Sequence, residues 1–252
     1  MIKRITPLLL LLIVGCSKLI DEPSLIEKDG VVYLPQSDKP YSGDVSKLDN
    51  FDAIVLCGGA TISRTLPVKG IDSKGVVQAM PFLTQQTKQL FNSPFEEEKI
   101  SAKDKHVIVI GGGDTGSDCV GTSNRHGAAS VTNFEIMPKP PVERSENTPW
   151  PFWPLQLKTS SSHEEGCDRN WLINTKEFIS NEQGELTGLK TVEVEWILKP
   201  GERPQLTEKP NSEKIWPCDL VLLALGFTGP ETTISSQLGL ELDTRSNYKA
   251  SQ

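Results

Sequence analysis

A run of glycines between two regular segments limits most strongly what this chain can fold into. Residues 105–110, KHVIVI, have the character of a short buried strand and lead directly into GGGDTG at 111–116. Residues 117–126 are compatible with a helix, and Gly127 follows as a helix C-cap. Residues 130–136, SVTNFEI, have the character of a second strand. The pattern predicts a β-α-β unit with Gly-x-Gly-x-x-Gly at its first turn, the fingerprint of dinucleotide-binding domains.

The glycines of this motif each have a physical reason. Gly111 permits the tight turn, Gly113 lets a pyrophosphate approach the backbone, and Gly116 lets the helix pack against the strand. Free N–H groups at the helix N-terminus then attract the anion. The alternative is a glycine-rich turn without a ligand. We expect a dinucleotide to bind along the whole loop, which comprises Gly111, Gly112, Gly113, Asp114, Thr115 and Gly116.

The end of the second strand bears on which nucleotide binds. An acidic residue there accepts a hydrogen bond from the ribose 2′-hydroxyl, whereas basic residues bind a 2′-phosphate. Glu135 lies near this position, and Lys139 and Arg144 follow in the proline-stiffened segment MPKPPVER. We therefore favour NADPH over NADH. Solvated surface charge is the alternative role of the two cations.

Composition excludes several classes of protein. Because 26 Lys and Arg face 33 Asp and Glu, the net charge is −7, and no basic cluster suggests a nucleic-acid partner. The hydrophobic share of 37% and charged share of 23% are typical of soluble globular domains. Five scattered cysteines predict neither a disulfide framework nor a metal site. We interpret His163, beside Glu164 and Glu165, as part of a solvated loop, and we predict no catalytic or metal-binding residue.

The N-terminus has the pattern of a targeting segment. Residues 1–16, MIKRITPLLLLLIVGC, combine a basic start with an apolar run too short to cross a bilayer as a helix. The run ends in a small residue and Cys16, as in a bacterial lipobox, so we expect Cys16 to be lipidated and to provide the only membrane attachment. An ordinary apolar first strand is the alternative. In residues 17–46, the segments 29–34 and 39–43 predict a β-hairpin that resembles one MORN-like repeat.

Longer segments of the chain resemble the small (β) subunit of bacterial glutamate synthase. In chain order they are FDAIVLCGGAT, VIVIGGGDTGSDCVGTSNRHGA, MPKPPVER, NTPWPFWP, SSHEEG and CDLVLLALGFTGPE, between about residues 48 and 250. The resemblance implies a flavoprotein that passes hydride from NADPH to FAD. Its implied partner is a large subunit that makes glutamate from glutamine and 2-oxoglutarate. It also implies that two crossover turns lie near the cofactors, Gly58-Gly59 and Ala224-Leu225-Gly226.

The resemblance sets the expected architecture, an α/β Rossmann-like FAD/NAD(P)-binding fold with a parallel sheet, a β-meander and an incomplete FAD domain. Residues 47–100 are expected to end the first FAD segment and form a linker, 101–225 to bind NAD(P)H, and 226–252 to begin the second FAD segment. Within the NAD(P)H domain, residues 172–179 are expected to be helical and 188–198 to form the meander. The family's iron–sulfur clusters are not expected, because the cysteines are too scattered. Nor does a second Gly-x-Gly-x-x-Gly precede Gly111, so we expect nucleotide binding without turnover.

The two ends of the chain imply different compartments. The resemblance of residues 48–250 implies the cytoplasm, whereas residues 1–16 imply a membrane-anchored lipoprotein. A joining of two unrelated coding sequences near residues 44–48 would explain both. The alternative function is that of a surface lipoprotein whose vestigial nucleotide fold acts as an interaction module.

Overall fold

The computed structural model describes residues 10–13, 26–28, 31–33, 54–56 and 59–249, apart from residues 147, 153–154, 200 and 245. In chain order the first strands are β1 (Leu10–Ile13), β2 (Ile26–Lys28), β3 (Val31–Tyr33), β4 (Ile54–Leu56), β5 (Ile62–Ser63), β6 (Val76–Gln78), β7 (His106–Ile110) and β8 (Ser130–Glu135). The later strands are β9 (Asp168–Trp171), β10 (Ile173–Ser180), β11 (Leu186–Ile197), β12 (Gln205–Glu208), β13 (Lys214–Pro217), β14 (Leu220–Leu223) and β15 (Phe227–Gly229). The helices are α1 (Ala79–Leu90), α2 (Asp114–Arg125), α3 (Ser161–Glu164) and α4 (Thr232–Gln237).

The chain divides into two compact units, the first from residues 1–64 and 227–252 and the second from residues 65–226. In the first unit, four strands form a sheet in the order β2-β3-β1-β4. Strand β1 pairs in parallel with β3 and β4. A separate antiparallel pair joins β5 to β15.

Strand β1 coincides with the apolar run of the predicted signal peptide. An apolar first strand was the alternative to that prediction, and Cys16 lies outside the described residues. The hairpin in the structure is formed by β2 and β3, which pair antiparallel. Its register places Ile26 opposite Tyr33. The predicted hairpin instead pairs residues 29–34 with residues 39–43. Residues 39–43, expected as the second strand, lie outside the described part of the chain.

The second unit is built on a five-stranded sheet in the order β6-β14-β7-β8-β9, and every neighbouring pair is parallel. The apolar segment before the glycine loop is strand β7, which lies between β14 and β8 with Ile110 opposite both Leu223 and Phe134. The predicted β-α-β unit is therefore present as β7-α2-β8. This arrangement confirms an α/β fold with a parallel sheet.

Alternate residues of β7 enter two different apolar cores, as the two-residue period of a strand requires. Val107 and Val109 belong to one core, together with Phe82 of α1 and Val120 of α2. Ile108 and Ile110 belong to the other core, with residues of the antiparallel strands. The unit therefore has three layers: helices, parallel sheet and antiparallel sheet.

The third layer is the expected meander, but it begins earlier than the sequence pattern indicated. The helical expectation for residues 172–179 is wrong, because Ile173–Ser180 is strand β10 and pairs antiparallel with β11. Strand β11 also pairs with β12 and β13. In β10, Thr175 and Phe178 are buried, so packing and ladder hydrogen bonds outweigh the weak helical spacing.

The second unit also begins earlier than the expected boundary at residue 101. Strand β6 pairs with β14, and α1 packs beside α2. Phe82 of α1 is only 1% exposed. The segment 65–100, expected as part of a linker, therefore belongs structurally to the nucleotide-type unit. Among the residues that the structure describes, no helix is both long and apolar enough to span a membrane.

Candidate functional site

The glycine loop connects β7 to α2 in a geometry that requires glycine at two positions. Gly111 has φ +116°, and a Cβ on it would lie 2.2 Å from the Ala224 carbonyl oxygen. A Cβ on Gly116 would lie 2.1 Å from the Gly111 carbonyl oxygen. Gly113, the N-cap of α2, differs because no atom lies within 4 Å of its Cβ position. The loop is therefore tightly packed at Gly111 and Gly116 and open at Gly113. The open position leaves space for the pyrophosphate of a ligand to approach the protein backbone.

A buried asparagine fixes the shape of the loop. The Asn133 side-chain amide donates to the carbonyl oxygens of Val109 at 3.1 Å and Gly111 at 2.9 Å. The Gly111 N–H donates to the Phe134 carbonyl oxygen at 2.9 Å. Sequence reasoning missed Asn133, although a polar residue inside an apolar strand was a usable signal. Because its side chain is fully buried, its hydrogen bonds are shielded from water.

The loop lies at the edge of a cleft of about 490 Å³. Of the six predicted loop residues, Gly112, Gly113 and Asp114 line this cleft. Thr115 belongs to the first turn of α2 but does not line it. The remaining lining residues come from α2, the end of β8, the segment before α3, α3 itself and β9: Ser117, Glu135, Pro140, Leu155, Gln156, Leu157, Lys158, Ser160, His163, Arg169 and Trp171.

The carboxylate of Glu135 lies directly against the loop. A Cβ on Gly112 would lie 1.2 Å from the Glu135 Oε1 atom, so this position also excludes a side chain unless Glu135 moves. Burial raises the pKa of Glu135, while the nearby Arg169 charge and the Gly112 N–H, which donates to the carboxylate, oppose the shift. The acidic group that sequence reasoning placed near the nucleotide is therefore part of the cleft wall.

The two predicted cations lie in different places. Lys139 stacks over the ring of Trp171, with its Nζ atom 4.9 Å from the ring centroid. Neither Lys139 nor Arg144 lines the cleft itself, and the Arg144 Nη1 atom donates to the Thr148 carbonyl oxygen at 3.4 Å. A cation that sequence reasoning missed, Arg169, has its Cζ atom 5.0 Å from the same Trp171 centroid. No spacing rule linked Arg169 to the loop, because it comes from β9 at the far edge of the sheet.

His163 corrects the interpretation of its segment as a solvated loop. The side chain is 9% exposed and lines the cleft. Its Nδ1 atom lies 2.9 Å from the Ser160 hydroxyl, which in turn forms a short hydrogen bond with the Ser117 hydroxyl on α2. Helix α3 packs so closely on α2 that a Cβ on Gly121 would lie 2.7 Å from the Ser162 hydroxyl. This packing carries His163 to the cleft.

The predicted crossover turns fall in different units. In the second unit, Ala224 lies beneath the loop, where its N–H donates to the Ile110 carbonyl oxygen at 2.8 Å. Leu225 packs against a buried core, and Gly226 has φ +76°. In the first unit, Gly59 has φ +63°, and Gly58 lies outside the described residues.

The cysteines within the described range are unsuited to thiol chemistry. Burial raises the pKa of Cys119 to about 12, of Cys167 to about 11 and of Cys218 to about 12, so the thiols stay protonated. Cys119 is buried in the core, and Cys167 is partly buried and packs against the same core. No cluster of three His, Cys, Asp or Glu able to hold a metal occurs among the residues described.

The three-layer unit and its glycine loop define a dinucleotide-binding oxidoreductase fold. The chain belongs to the pyridine nucleotide-disulphide oxidoreductase family, whose model matches residues 23–251. This match runs through residues 44–48, so the comparison lends no support to a junction there.

The most informative relatives are glutamate synthases. The chain is 44% identical over 214 residues to the glutamate synthase [NADH] of Saccharomyces cerevisiae, covering 82% of this chain and 10% of the relative. It is 42% identical over 203 residues to the glutamate synthase [NADPH] small chain of Mycobacterium tuberculosis H37Rv, covering 79% and 40%. With the Bacillus subtilis small chain the identity is 37%, covering 86% and 45%. The region is therefore glutamate-synthase small-chain-like, and the chain spans less than half the length of these relatives.

Solved structures agree on the fold. The Mycobacterium tuberculosis oxidoreductase FprA, solved in complex with NADPH, superposes with a TM-score of 0.55. The superposition covers 81% of this chain and 56% of that chain at 14% identity.

Proposed function

We propose that this chain is the NAD(P)H-binding part of a flavin-dependent oxidoreductase of the glutamate synthase small-chain type. The observation that carries the proposal is the glycine loop, which is tightly packed on its inner side and open at Gly113, at the edge of a 490 Å³ cleft. The volume lies within the usual range of about 300–1,000 Å³ for small-molecule sites.

The residues present fit a dinucleotide. Gly113 leaves room for a pyrophosphate, and the backbone N–H groups of the first turn of α2 stabilise negative charge. Glu135 is placed to accept hydrogen bonds from a ribose, while Arg169 and Lys158 supply positive charge to the cleft wall. When bound, the nicotinamide supplies the hydride, so the protein has to bind and orient it and needs no acid or base side chain for that step.

Titration of the purified 252-residue chain with NADPH, NADH and ADP-ribose tests the proposal. We expect saturable binding with a Kd of about 1–1,000 μM, the range typical of coenzyme and substrate affinities. Without flavin, we expect no steady-state dye reduction. Absence of saturable binding at millimolar nucleotide would refute the proposal.

We propose NADPH as the preferred coenzyme, with NADH as the alternative. Lys139 and Arg169 beside Trp171 support a 2′-phosphate, whereas Glu135 supports a free 2′-hydroxyl. Replacing Glu135 by Gln should weaken NADH binding about tenfold and leave NADPH binding nearly unchanged. If wild-type protein binds NADH more tightly, Glu135 dominates and the preference is reversed.

The proposals that FAD and a large subunit take part rest on the resemblance and on the relatives. We propose that FAD accepts the hydride and that the complete assembly includes a glutamate synthase large subunit, whereas iron–sulfur clusters receive no support from the described cysteines. Co-purification of the chain with a matched large subunit, compared with an unrelated flavoprotein, tests the partnership. A chain that elutes alone in both cases would refute it.

Lipidation of Cys16 is a separate proposal, supported by the pattern of residues 1–16 alone. Mass spectrometry of the mature N-terminus after bacterial expression tests it. A peptide beginning with a diacylated Cys16 would support membrane anchoring. An intact Met1 peptide would instead support the strand β1 arrangement and the cytoplasmic location that the small-chain likeness implies.

A further inference from the structure

Two buried nitrogen atoms in the cleft wall have no hydrogen-bond partner within the part of the chain that the structure describes. They are His163 Nε2 and Arg169 Nε. Both residues line the cleft beside Gly112 and Gly113. A buried donor without an acceptor costs about 1–3 kcal/mol, so native structures rarely keep one without a reason.

Local structure accounts for the other ring nitrogen of His163 but not for this one. Ser160 and His163 form a capping box at the start of α3. In it the Ser160 N–H donates to Nδ1 at 3.3 Å, so Nδ1 acts as an acceptor. Burial, together with the nearby Arg169 charge, lowers the pKa of His163, so the ring is neutral near pH 7. A neutral imidazole whose Nδ1 accepts carries its proton on Nε2, which makes Nε2–H the unpaired donor.

The surroundings of this donor favour a phosphate as its acceptor. The Ser117–Ser160 hydrogen bond ties His163 to the first turns of α2, the end of the helix that attracts anions. Arg169 adds a full positive charge, with its Nη1 atom held by the Lys158 carbonyl oxygen at 3.0 Å. Lys158 also lines the cleft. Hydroxyl and carbonyl acceptors would gain less than an anion from this concentration of donors and charge.

We propose that His163 Nε2–H, with Arg169 beside it, donates to a phosphate oxygen of the bound dinucleotide. The contact deepens the proposed function, because it rests on a dinucleotide occupying this cleft. His163 is thereby a coenzyme-binding residue supplied from outside the glycine loop. The buried Nε2 is reached through a small side-chain adjustment of the cleft wall, of the kind common on binding.

Binding experiments on wild-type protein and His163→Phe test the contact. Phenylalanine keeps a ring of similar size and removes the donor. We expect the Kd for ADP-ribose to rise about 10- to 100-fold, the effect of losing a hydrogen bond to a charged group. We expect the Kd for adenosine, which has no phosphate, to stay the same. His126→Phe is the matched control, because His126 is also a partly buried neutral histidine but lies outside the cleft.

An NMR measurement on wild-type protein keeps the test valid even if a variant folds poorly. The imidazole ¹H–¹⁵N spectrum of wild-type protein, assigned through the nuclear Overhauser contacts of His163 with Ser160, should show the His163 Nε2–H signal moving downfield and exchanging more slowly at saturating ADP-ribose. The His126 signal should not move. An unchanged His163 signal, or equal losses for ADP-ribose and adenosine, would overturn the phosphate contact. If wild-type protein binds no ADP-ribose, the proposed function itself fails.

Discussion

Replacing Gly111 and Gly113 by alanine, one at a time, should separate the folding role of the loop from its binding role. Gly111 has φ +116°, and its alanine Cβ would lie 2.2 Å from the Ala224 carbonyl oxygen. The backbone strain costs about 1–3 kcal/mol, and the overpacking costs a further 1–3 kcal/mol or so. We therefore expect Gly111→Ala to lower the free energy of unfolding by about 2–6 kcal/mol, a large part of a typical domain's stability.

Gly113→Ala should behave in the opposite way. Gly113 has φ −74°, which alanine adopts readily, and its Cβ would meet no atom within 4 Å. The cost is limited to a poorer N-cap, about 1 kcal/mol or less. The new methyl group would instead occupy the space through which a pyrophosphate approaches. We expect near-native stability and at least about a tenfold rise in the Kd for ADP-ribose.

Urea unfolding followed by tryptophan fluorescence, with ADP-ribose titration of each folded variant, measures both effects. A Gly111→Ala protein as stable as wild type would refute the steric argument, since no side chain fits there without moving the Ala224 backbone. A Gly113→Ala protein that binds ADP-ribose normally would show that the ligand does not pass over this part of the loop.

Further predictions follow from single buried groups. Asn133→Ala removes the hydrogen bonds to the carbonyl oxygens of Val109 in β7 and Gly111 in the loop and should lower the free energy of unfolding by about 2–3 kcal/mol; a change below about 0.5 kcal/mol in urea unfolding would contradict the role given to Asn133. Burial, and secondarily Lys99, lowers the pKa of His126 from 6.5, so the unfolded state binds more protons in this range. Stability should therefore be complete above about pH 6.5 and fall as the pH drops below it, and His126→Gln should flatten that slope in thermal unfolding scans. The raised thiol pKa values predict that peptides containing Cys119 and Cys218 remain unlabelled by iodoacetamide at pH 8 until urea unfolds the chain, and mass spectrometry would detect labelling under native conditions if this is wrong.

The central β-α-β unit could be predicted from sequence because its signals are local. The strand before Gly111, the glycine spacing and the helix that follows lie within one short segment. Each signal reflects the conformation of the same few residues that carry it. The parallel sheet followed because a β-α-β unit forms one.

The other residues of the site could not be predicted from sequence, because only the tertiary structure brings them together. Arg169 reaches the cleft from β9, and His163 reaches it because α3 packs on α2; neither fact is encoded in neighbouring residues. The sequence pattern of β10 predicts a helix, because its apolar spacing is ambiguous until β11 supplies its hydrogen-bond partners. The sequence does not predict strand β6, because it has only three residues and its partner β14 lies far along the chain.

The position of β14 within the parallel sheet affects how the chain is made. This strand is among the last residues of the second unit to be synthesised, yet it lies between β6 and β7, which leave the ribosome far earlier. Until Leu220–Leu223 emerge, β6 and β7 both present unpaired backbone edges, and such edges favour aggregation. The parallel sheet therefore cannot be completed strand by strand in the order in which the chain is synthesised. Premature termination before residue 220 would leave a chain that holds the entire glycine loop and lacks the strand that joins its two halves.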